Sequence, residues 1–286
     1  SNFLYFFMKM NEKKLENKGT GSTFKAINRK EIEKIKVLVP SLSIQKRIVS
    51  ILERAEKLKE KRKQANELMS KLPQSVFLEM FQDYINDAKK FVEIGELCEV
   101  KGGKRVPKGE QFSDVPTKHP YLRVTDMVDF GINQEGLKYI KDDIFERIKN
   151  YTITKEDVYI TIAGTIGLSG IIPNSLNGAS LTENAAKLVI KDKEKVNRIF
   201  LANIVASNIV QSQIKIRTGV VGVPKLALQR IKTIKIPLPP LSLQKQFASH
   251  IENINTLRQK QNESTESSNN LFDSLLQKAF NGELVT

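Results

Sequence analysis

Cysteine is nearly absent from this sequence: Cys98 stands alone among 286 residues. A disulfide within one chain is therefore impossible, and so is a cysteine-rich metal site. Histidine is almost as scarce. His119 and His250 are the only two, and neither has metal-ligand spacing to Cys98. Long apolar runs are missing too. Residues 3–8 are apolar, but a membrane span needs roughly 20 such residues, and the layout is not that of a signal peptide. No Walker-type loop, metallohydrolase pair, nucleophile elbow or methyltransferase cofactor motif occurs. These gaps give catalysis little support. They lead to the expectation of a non-catalytic, cytoplasmic protein with no membrane partner, no cofactor and no metal.

One glycine-rich run, residues 163–170, invites a dinucleotide-binding reading. It follows a strand-like stretch, but Ile171, Ile172 and Pro173 come next. The next element is then a strand, and no helix N-terminus awaits a phosphate. A hairpin or bulged turn fits better.

What is present is positive charge. The formal net charge is +14. Lys and Arg minus Asp and Glu give 20 − 11 = +9 over residues 1–90, 20 − 16 = +4 over 91–230 and 6 − 5 = +1 over 231–286. Such a balance points to a polyanionic partner, nucleic acid first. The densest run, Lys57, Lys59, Lys61, Arg62 and Lys63, has Glu53, Glu56 and Glu60 beside it. At i,i+4 spacing these pair along a helix, so the run reads mainly as a solvated face.

A repeat organises the chain. Ile35-Lys36-Val37-Leu38-Val39-Pro40-Ser41-Leu42-Ser43-Ile44-Gln45-Lys46 returns as Ile234-Lys235-Ile236-Pro237-Leu238-Pro239-Pro240-Leu241-Ser242-Leu243-Gln244-Lys245. The shift is 234 − 35 = 199 residues, and it holds without a gap from residue 32 to 81. A repeat of this length implies that a globular segment and the helix after it were duplicated.

After each junction the apolar residues step by three and four, a narrow seam of the coiled-coil kind. Ile44, Ile48, Leu52, Leu58 and Leu72 form the first seam; Phe247, Ile251, Leu257 and Leu275 belong to the second. All are assigned to helix packing or a partner. Ser43 is placed as the first N-cap. About 40 residues at 1.5 Å each make a rod of roughly 60 Å. Pro73 should kink or restart the first helix. Residues 259–270 are polar with weak helix propensity, yet the repeat register places them on a helix. Asn281-Gly282 should end it.

Residues 1–18 read as one helix, 19–22 as a turn, and 24–39 as short strand-like pieces. Residues 200–216 read as a helix candidate with a turn at Thr218-Gly219. Strands are expected over 120–127, 157–162 and 186–190. The fold class is α/β (α+β): a globular domain of short strands and helices, flanked by two long helices in an antiparallel coiled coil. The boundaries are set at 1–40, 41–84, 85–241 and 242–286.

These residues resemble the specificity subunits of type I restriction–modification enzymes. The likeness rests on both proline junctions, on the endings Phe77-Leu78-Glu79-Met80-Phe81 and Leu276-Gln277-Lys278-Ala279-Phe280-Asn281-Gly282-Glu283-Leu284, and on Tyr121-Leu122-Arg123-Val124-Thr125-Asp126 and Gly164-Thr165-Ile166-Gly167. The resemblance implies two target-recognition domains, each reading half of a split site in double-stranded DNA. It implies two long helices that hold them apart and bind methyltransferase (M) subunits, with the restriction (R) subunit joining through the complex. S-adenosylmethionine and ATP would belong to those partners. A rod of roughly 60 Å covers nearly two DNA turns of about 34–36 Å. One departure stands out: only a few dozen residues precede Ile35, so the expectation is one complete recognition domain and the tail of another. Homodimerisation would restore the two-fold arrangement. The alternatives are a coiled-coil scaffold that reads no DNA, and the recognition portion of a fused methyltransferase–restriction enzyme.

Chemistry selects the DNA-facing candidates. Lys101, Lys104, Arg105 and Lys108 form a basic glycine- and proline-containing loop suited to phosphate, and Arg105 could instead read guanine. Arg123, Thr125 and Asp126 could serve base edges or form a local ion pair. Thr165, Asn184, Arg217 and Thr218 lie near glycines or turns. Lys215 and Arg217 also suit a helix C-terminus.

Overall fold

The two copies of the repeated junction open the two longest helices of the chain. This is a computed structural model, and it describes residues 1–18, 27–128, 130–218 and 224–285. In chain order the elements are α1 (Asn2–Met10), α2 (Glu12–Lys18), α3 (Arg29–Glu33), α4 (Leu42–Ile85), β1 (Phe91–Glu93), α5 (Ile94–Leu97), β2 (Cys98–Gly102), β3 (Pro120–Leu122), β4 (Met127–Val128), β5 (Gly131–Ile132), β6 (Lys138–Tyr139) and α6 (Asp142–Ile148). There follow β7 (Thr152–Ile153), β8 (Val158–Thr161), β9 (Ser169–Ile171), β10 (Ala179–Leu181), β11 (Ala185–Ile190), α7 (Arg198–Ala206), α8 (Asn208–Arg217), α9 (Leu228–Lys232), β12 (Lys235–Pro237) and α10 (Leu241–Phe280).

The glutamine shared by both junctions has one structural task. Gln45 Nε2 donates to the Pro40 carbonyl at 2.8 Å, and Gln244 Nε2 donates to the Pro239 carbonyl at 2.8 Å. Each bond ties the helix's first turn to the last extended residues before it. Gln244 is fully buried and also accepts from the Asn197 N–H at 2.9 Å. Helix α4 starts at Leu42, so Ser43 lies inside its first turn and is not the cap.

The chain forms two compact units. One contains Ser1–Leu72 and Ile254–Thr286; the other is Pro73–Asn253. In the first, Phe3 and Phe6 of α1 pack with Ile48 and Leu52 of α4 and with Phe272, Leu276 and Ala279 of α10. Early α4 therefore meets late α10. Arg258, early in α10, donates to the carbonyl of Met69, late in this part of α4. The two helices run antiparallel. They cross at Arg62–Gln261 (3.1 Å) and Asn66–Thr265 (3.1 Å), and each pair is 199 residues apart in sequence. Contacts between equivalent positions are what a local two-fold axis requires.

At this crossing the seam is polar, which corrects the packing assignment. Ile48, Leu52, Phe247 and Ile251 are buried, and Ile44 and Leu275 half-buried. Leu58, Leu72 and Leu257 are 42%, 39% and 52% exposed. Near the crossing, α4 and α10 meet through amide, hydroxyl and guanidinium groups, which bond each other instead of closing over leucine. Helix α10 is continuous across residues 259–270, and Thr265, Ser267 and Ser268 donate to carbonyls four residues back. Helix α4 is also continuous across Pro73.

Residues 1–18 form two helices that break at Asn11, not one. Residues 29–33 are helical, so the expected run of strand-like pieces before Pro40 is not observed there. The turn expected at 19–22 and Gly219 lie outside the described residues. Helix α4 runs past residue 84 to Ile85, and Gly282 follows α10 with φ +81°, where glycine is favoured.

The second unit holds the strands. One sheet has the order β2-β11-β8-β9, antiparallel throughout. Another has the order β6-β3-β10-β7, with β3 and β10 parallel. Helix α7 is buried from Ile199 to Val205. It meets α8 at a 63° bend where one helix had been expected. Four rings, Phe77, Phe81, Phe200 and Phe247, lie 5.0–6.4 Å apart. They bind α4, α7 and α10 together with the edge-to-face contacts aromatic quadrupoles favour. Among the described residues, no single helix is long and apolar enough to cross a membrane.

Candidate nucleic-acid interface

The turn between β10 and β11 is the centre on which the candidate residues converge. Thr182 donates its N–H to the Leu122 carbonyl at 3.1 Å, which places the end of β3 on one side. Lys104 donates its N–H to Leu181 at 2.8 Å, and Gly103 donates to Ala185 at 3.1 Å. The basic loop is thus fastened along the turn by its backbone. The Asn184 carbonyl accepts from Ile162 (2.8 Å) and Ala163 (3.2 Å), bringing in the loop that carries Thr165. Ala163 forms a β-bridge with Lys225.

These bonds assemble side chains from four distant stretches of sequence. Lys104 and Arg105 are exposed, and the Lys104 ammonium sits 5.7 Å from the centre of the Tyr151 ring. Arg105 Nε donates to Glu183 at 2.6 Å, while its side chain remains 76% exposed. Burial alone would raise the Glu183 carboxyl most strongly, but Arg105 and Thr182 outweigh it and hold the group below the usual carboxylate range. Thr165 is exposed, Asn184 half-buried and Lys225 exposed. The loop 162–168 joins antiparallel strands β8 and β9, so the hairpin reading of the glycine run describes it. Gly164 (φ +76°) and Gly167 (φ +94°) supply conformations that other residues rarely adopt.

Other candidates occupy different settings. Lys101 does not lie in the loop: it sits within β2 opposite Lys187, and its ammonium pairs with Glu99 at 2.6 Å. Lys108 is exposed further along the loop. The strand expected over 120–127 stops at Leu122. Asp126 is 2% exposed, and its carboxylate accepts from the Arg123 N–H at 2.7 Å and from the Arg123 guanidinium at 2.5 and 3.1 Å. Arg123 also donates to the Gly136 carbonyl at 3.1 Å. The pair pins a tight turn, which leaves Thr125 exposed. Arg217 donates to the Gln213 carbonyl and to Thr233, and Thr218 donates to the Ile214 carbonyl, so both finish helix α8. Cys98 is buried, and burial pushes its thiol up to about 12, far from the thiolate a nucleophile needs.

Glu183 and Lys225 carry no signal in the sequence. Glu183 is next to Asn184, but an acidic residue does not by itself suggest an interface for an anion. Lys225 follows Pro224 in a stretch with no local pattern, and only the bridge to Ala163 reveals its place.

The chain matches the family described as Type I restriction modification DNA specificity domain over residues 1–68 and 86–267. It is 24% identical over 276 residues to the MjaVIII type I restriction enzyme specificity subunit of Methanocaldococcus jannaschii, covering 89% of this chain and 63% of that protein. It is 28% identical over 171 residues to the EcoBI specificity subunit of Escherichia coli, covering 57% of this chain and 35% of that protein. The chain therefore spans less than two thirds of either relative. Its fold is similar to the S subunit of a type I restriction–modification system from M. genitalium (TM-score 0.58, 15% identity, 98% of this chain and 72% of the other). It is also similar to the HsdS subunit from Thermoanaerobacter tengcongensis (TM-score 0.52, 18% identity, 99% and 70%).

Proposed function

Since the chain belongs to the family of type I restriction–modification DNA specificity proteins, we propose that it is a DNA-recognition subunit and that the turn at residues 181–185 is the centre of its DNA-reading surface. The observation that carries this reading is the convergence of Lys104, Arg105, Thr165, Asn184 and Lys225 on that one turn. Exposed cations there serve phosphate, while the hydroxyl and amide can serve base edges. Arg123 and Asp126 pin the turn that follows Leu122, whose carbonyl holds Thr182, while Arg217 and Thr218 finish helix α8 and are not assigned to this surface. Lys101 and Lys108 flank it and add only charge.

The chemistry of DNA modification would reside in partners. Leucines left exposed on the long helices, among them Leu58 and Leu257, suit an apolar contact with a methyltransferase subunit; a restriction subunit would join through that complex. A scaffold that reads no DNA is the second reading, favoured by the same exposed leucines.

Binding of the full chain to short duplexes of unrelated sequence, measured across a salt series, separates the two. A recognition subunit binds and loses affinity linearly in log salt. Lys104→Ala with Arg105→Ala should weaken binding and reduce the slope by about 0.9, the single phosphate contact of Lys104, since Arg105 is held by Glu183. Unchanged binding by the double variant would remove this turn as the interface. Absence of binding by the unaltered chain at low salt would leave the scaffold reading.

A further inference from the structure

The repeated junction carries a glutamine and a lysine side by side, and the fold uses only the glutamine. Gln45 and Gln244 each tie a long helix to the residues before it. Lys46 and Lys245 stand next to them, both exposed, and neither makes a hydrogen bond or ion pair among the described residues. Around Lys245 the surroundings are built. Gln244 Nε2 also donates to the Lys195 carbonyl at 3.0 Å, and Gln244 Oε1 accepts from the Asn197 N–H at 2.9 Å. The chain at 195–197 is thereby held against the first turn of α10. A cavity of about 160 Å³ opens at this contact, lined by Lys193, Arg198, Lys245 and Glu156, with Val196 and Leu241 among its walls. All of these residues belong to the second unit.

Charge in this cavity is one-sided. Three cations and one carboxylate give 3 − 1 = +2. The carboxylate is already taken: Glu156 pairs with Lys193 at 2.7 Å. Its carboxyl is held below the usual range, first by the Lys193 ammonium and then, through space, by Arg198 and Lys155. Arg198 Nη1 donates to the Lys155 carbonyl at 2.6 Å. That bond fixes the guanidinium, and its Nε and Nη2 make no bond among the described residues. Lys245 has no carboxylate within pairing distance among those residues. Two cations are therefore fixed or free at one cavity, with no anion of the chain left for them.

We propose that this cavity is an oxyanion site, which takes one phosphate or sulfate group between Arg198 and Lys245. Volume selects the class. A cavity of about 160 Å³ has room for roughly five waters at about 30 Å³ each. It lies below the roughly 300 Å³ at which pockets for organic ligands begin. A tetrahedral anion with a few waters fits, and a nucleotide base does not. The net +2 of the lining balances a doubly charged oxyanion. A guanidinium presents paired N–H groups to two oxygens of one such group, and an ammonium serves a third as a point charge. Val196 and Leu241 keep part of the wall apolar, which strengthens both ion pairs. The same donors serve a free phosphate ion and a phosphate of a DNA backbone. None of the lining residues belongs to the turn at 181–185, so this site stands or falls apart from the DNA-reading surface.

The probe is inorganic phosphate, titrated into the full ¹⁵N-labelled chain at constant ionic strength, with sodium chloride making up the difference. Saturable shifts should gather at the amides of residues 193–198 and 241–245, with a Kd on the order of millimolar. Lys245→Met should weaken phosphate at least about fivefold, and Glu156→Gln should tighten it at least about twofold by removing the opposing charge. Lys46→Met, at the matching position of the first repeat, should change nothing at these amides. Lys245 bonds nothing in the chain, so its loss leaves the fold intact. A second arm adds a short DNA duplex at the same ionic strength. Displacement of phosphate from these amides supports the site with a DNA backbone as the source; phosphate titration unchanged beside bound duplex supports it with a free ion. A duplex that fails to bind would count against the DNA reading and leave the phosphate result standing. Shifts that grow without saturation, equal shifts with chloride alone, or unchanged affinity in Lys245→Met would each overturn the proposal.

Discussion

Gly103 has no room for a side chain. A Cβ built there would lie 2.1 Å from the Thr182 carbonyl oxygen and 2.3 Å from that of Leu181. The loop carrying Lys104 and Arg105 approaches the 181–185 turn closely because glycine is at the contact. Gly103→Ala must push two backbone segments apart, which should cost about 1–3 kcal/mol. Urea unfolding should show that loss as a lower midpoint, and Gly109→Ala, at a site with no atom within 4 Å but a φ of +91°, should cost only the milder strain of its conformation. The sequence offered Lys101 to Gly109 as a basic loop, and that was legible from composition. It did not reveal which glycine was for packing, nor that Lys101 lies in a strand. The same limit applies to Arg123, Asp126 and Arg217. For each, a structural ion pair or helix ending was as consistent with the residue types as a DNA contact, and burial is what distinguishes them.

Proline inside a helix leaves a carbonyl four residues earlier without its donor. For Pro73 that carbonyl is Met69, and Arg258 of α10 donates to it at 3.3 Å. The antiparallel partner thus supplies the bond that proline withholds, which explains why α4 continues where the sequence predicts a kink or restart. Arg258→Met should cost about 1–2 kcal/mol, in the range of a hydrogen bond from a charged donor. In a Pro73→Ala background, Met69 regains a backbone donor and the same substitution should cost much less, giving a coupling of about 1 kcal/mol. Additive costs in thermal or urea unfolding would show that the two sites are independent. At this scale the long helices and the repeat were legible because three- and four-residue spacing survives in any helix. The polar crossing was not. Arg62, Asn66, Gln261 and Thr265 look like solvated positions until the second helix is laid against them, and the leucines beside them then lose their expected cover.

Charge is the property of the whole molecule that bears most directly on what it does. Of the net +14, little is placed where the DNA reading needs it, and part of that is offset by Glu183 against Arg105. The carboxyl of Glu183 is held below its usual range, so it stays ionised through neutral pH. The pair is complete above the unfolded-state value of about 4.3 and is lost only as pH falls through the lower folded value. Composition showed that the chain is basic, and the repeat showed how it is built. Neither could show that one carboxylate restrains the central arginine, because Arg105 and Glu183 are separated by 78 residues and meet only through the sheet. Glu183→Gln removes that restraint and one negative charge from the surface. DNA affinity at low salt should rise by up to about 1 kcal/mol, the scale of one exposed ion pair. If Arg105 then reaches a phosphate, the plot of log affinity against log salt should steepen by about 0.9. The gain should be the same from about pH 6 to 8, because Glu183 does not titrate there. A tighter complex with an unchanged slope would mean that Arg105 still avoids phosphate and that Glu183 acted only by repulsion. An unchanged affinity would place the DNA away from this turn.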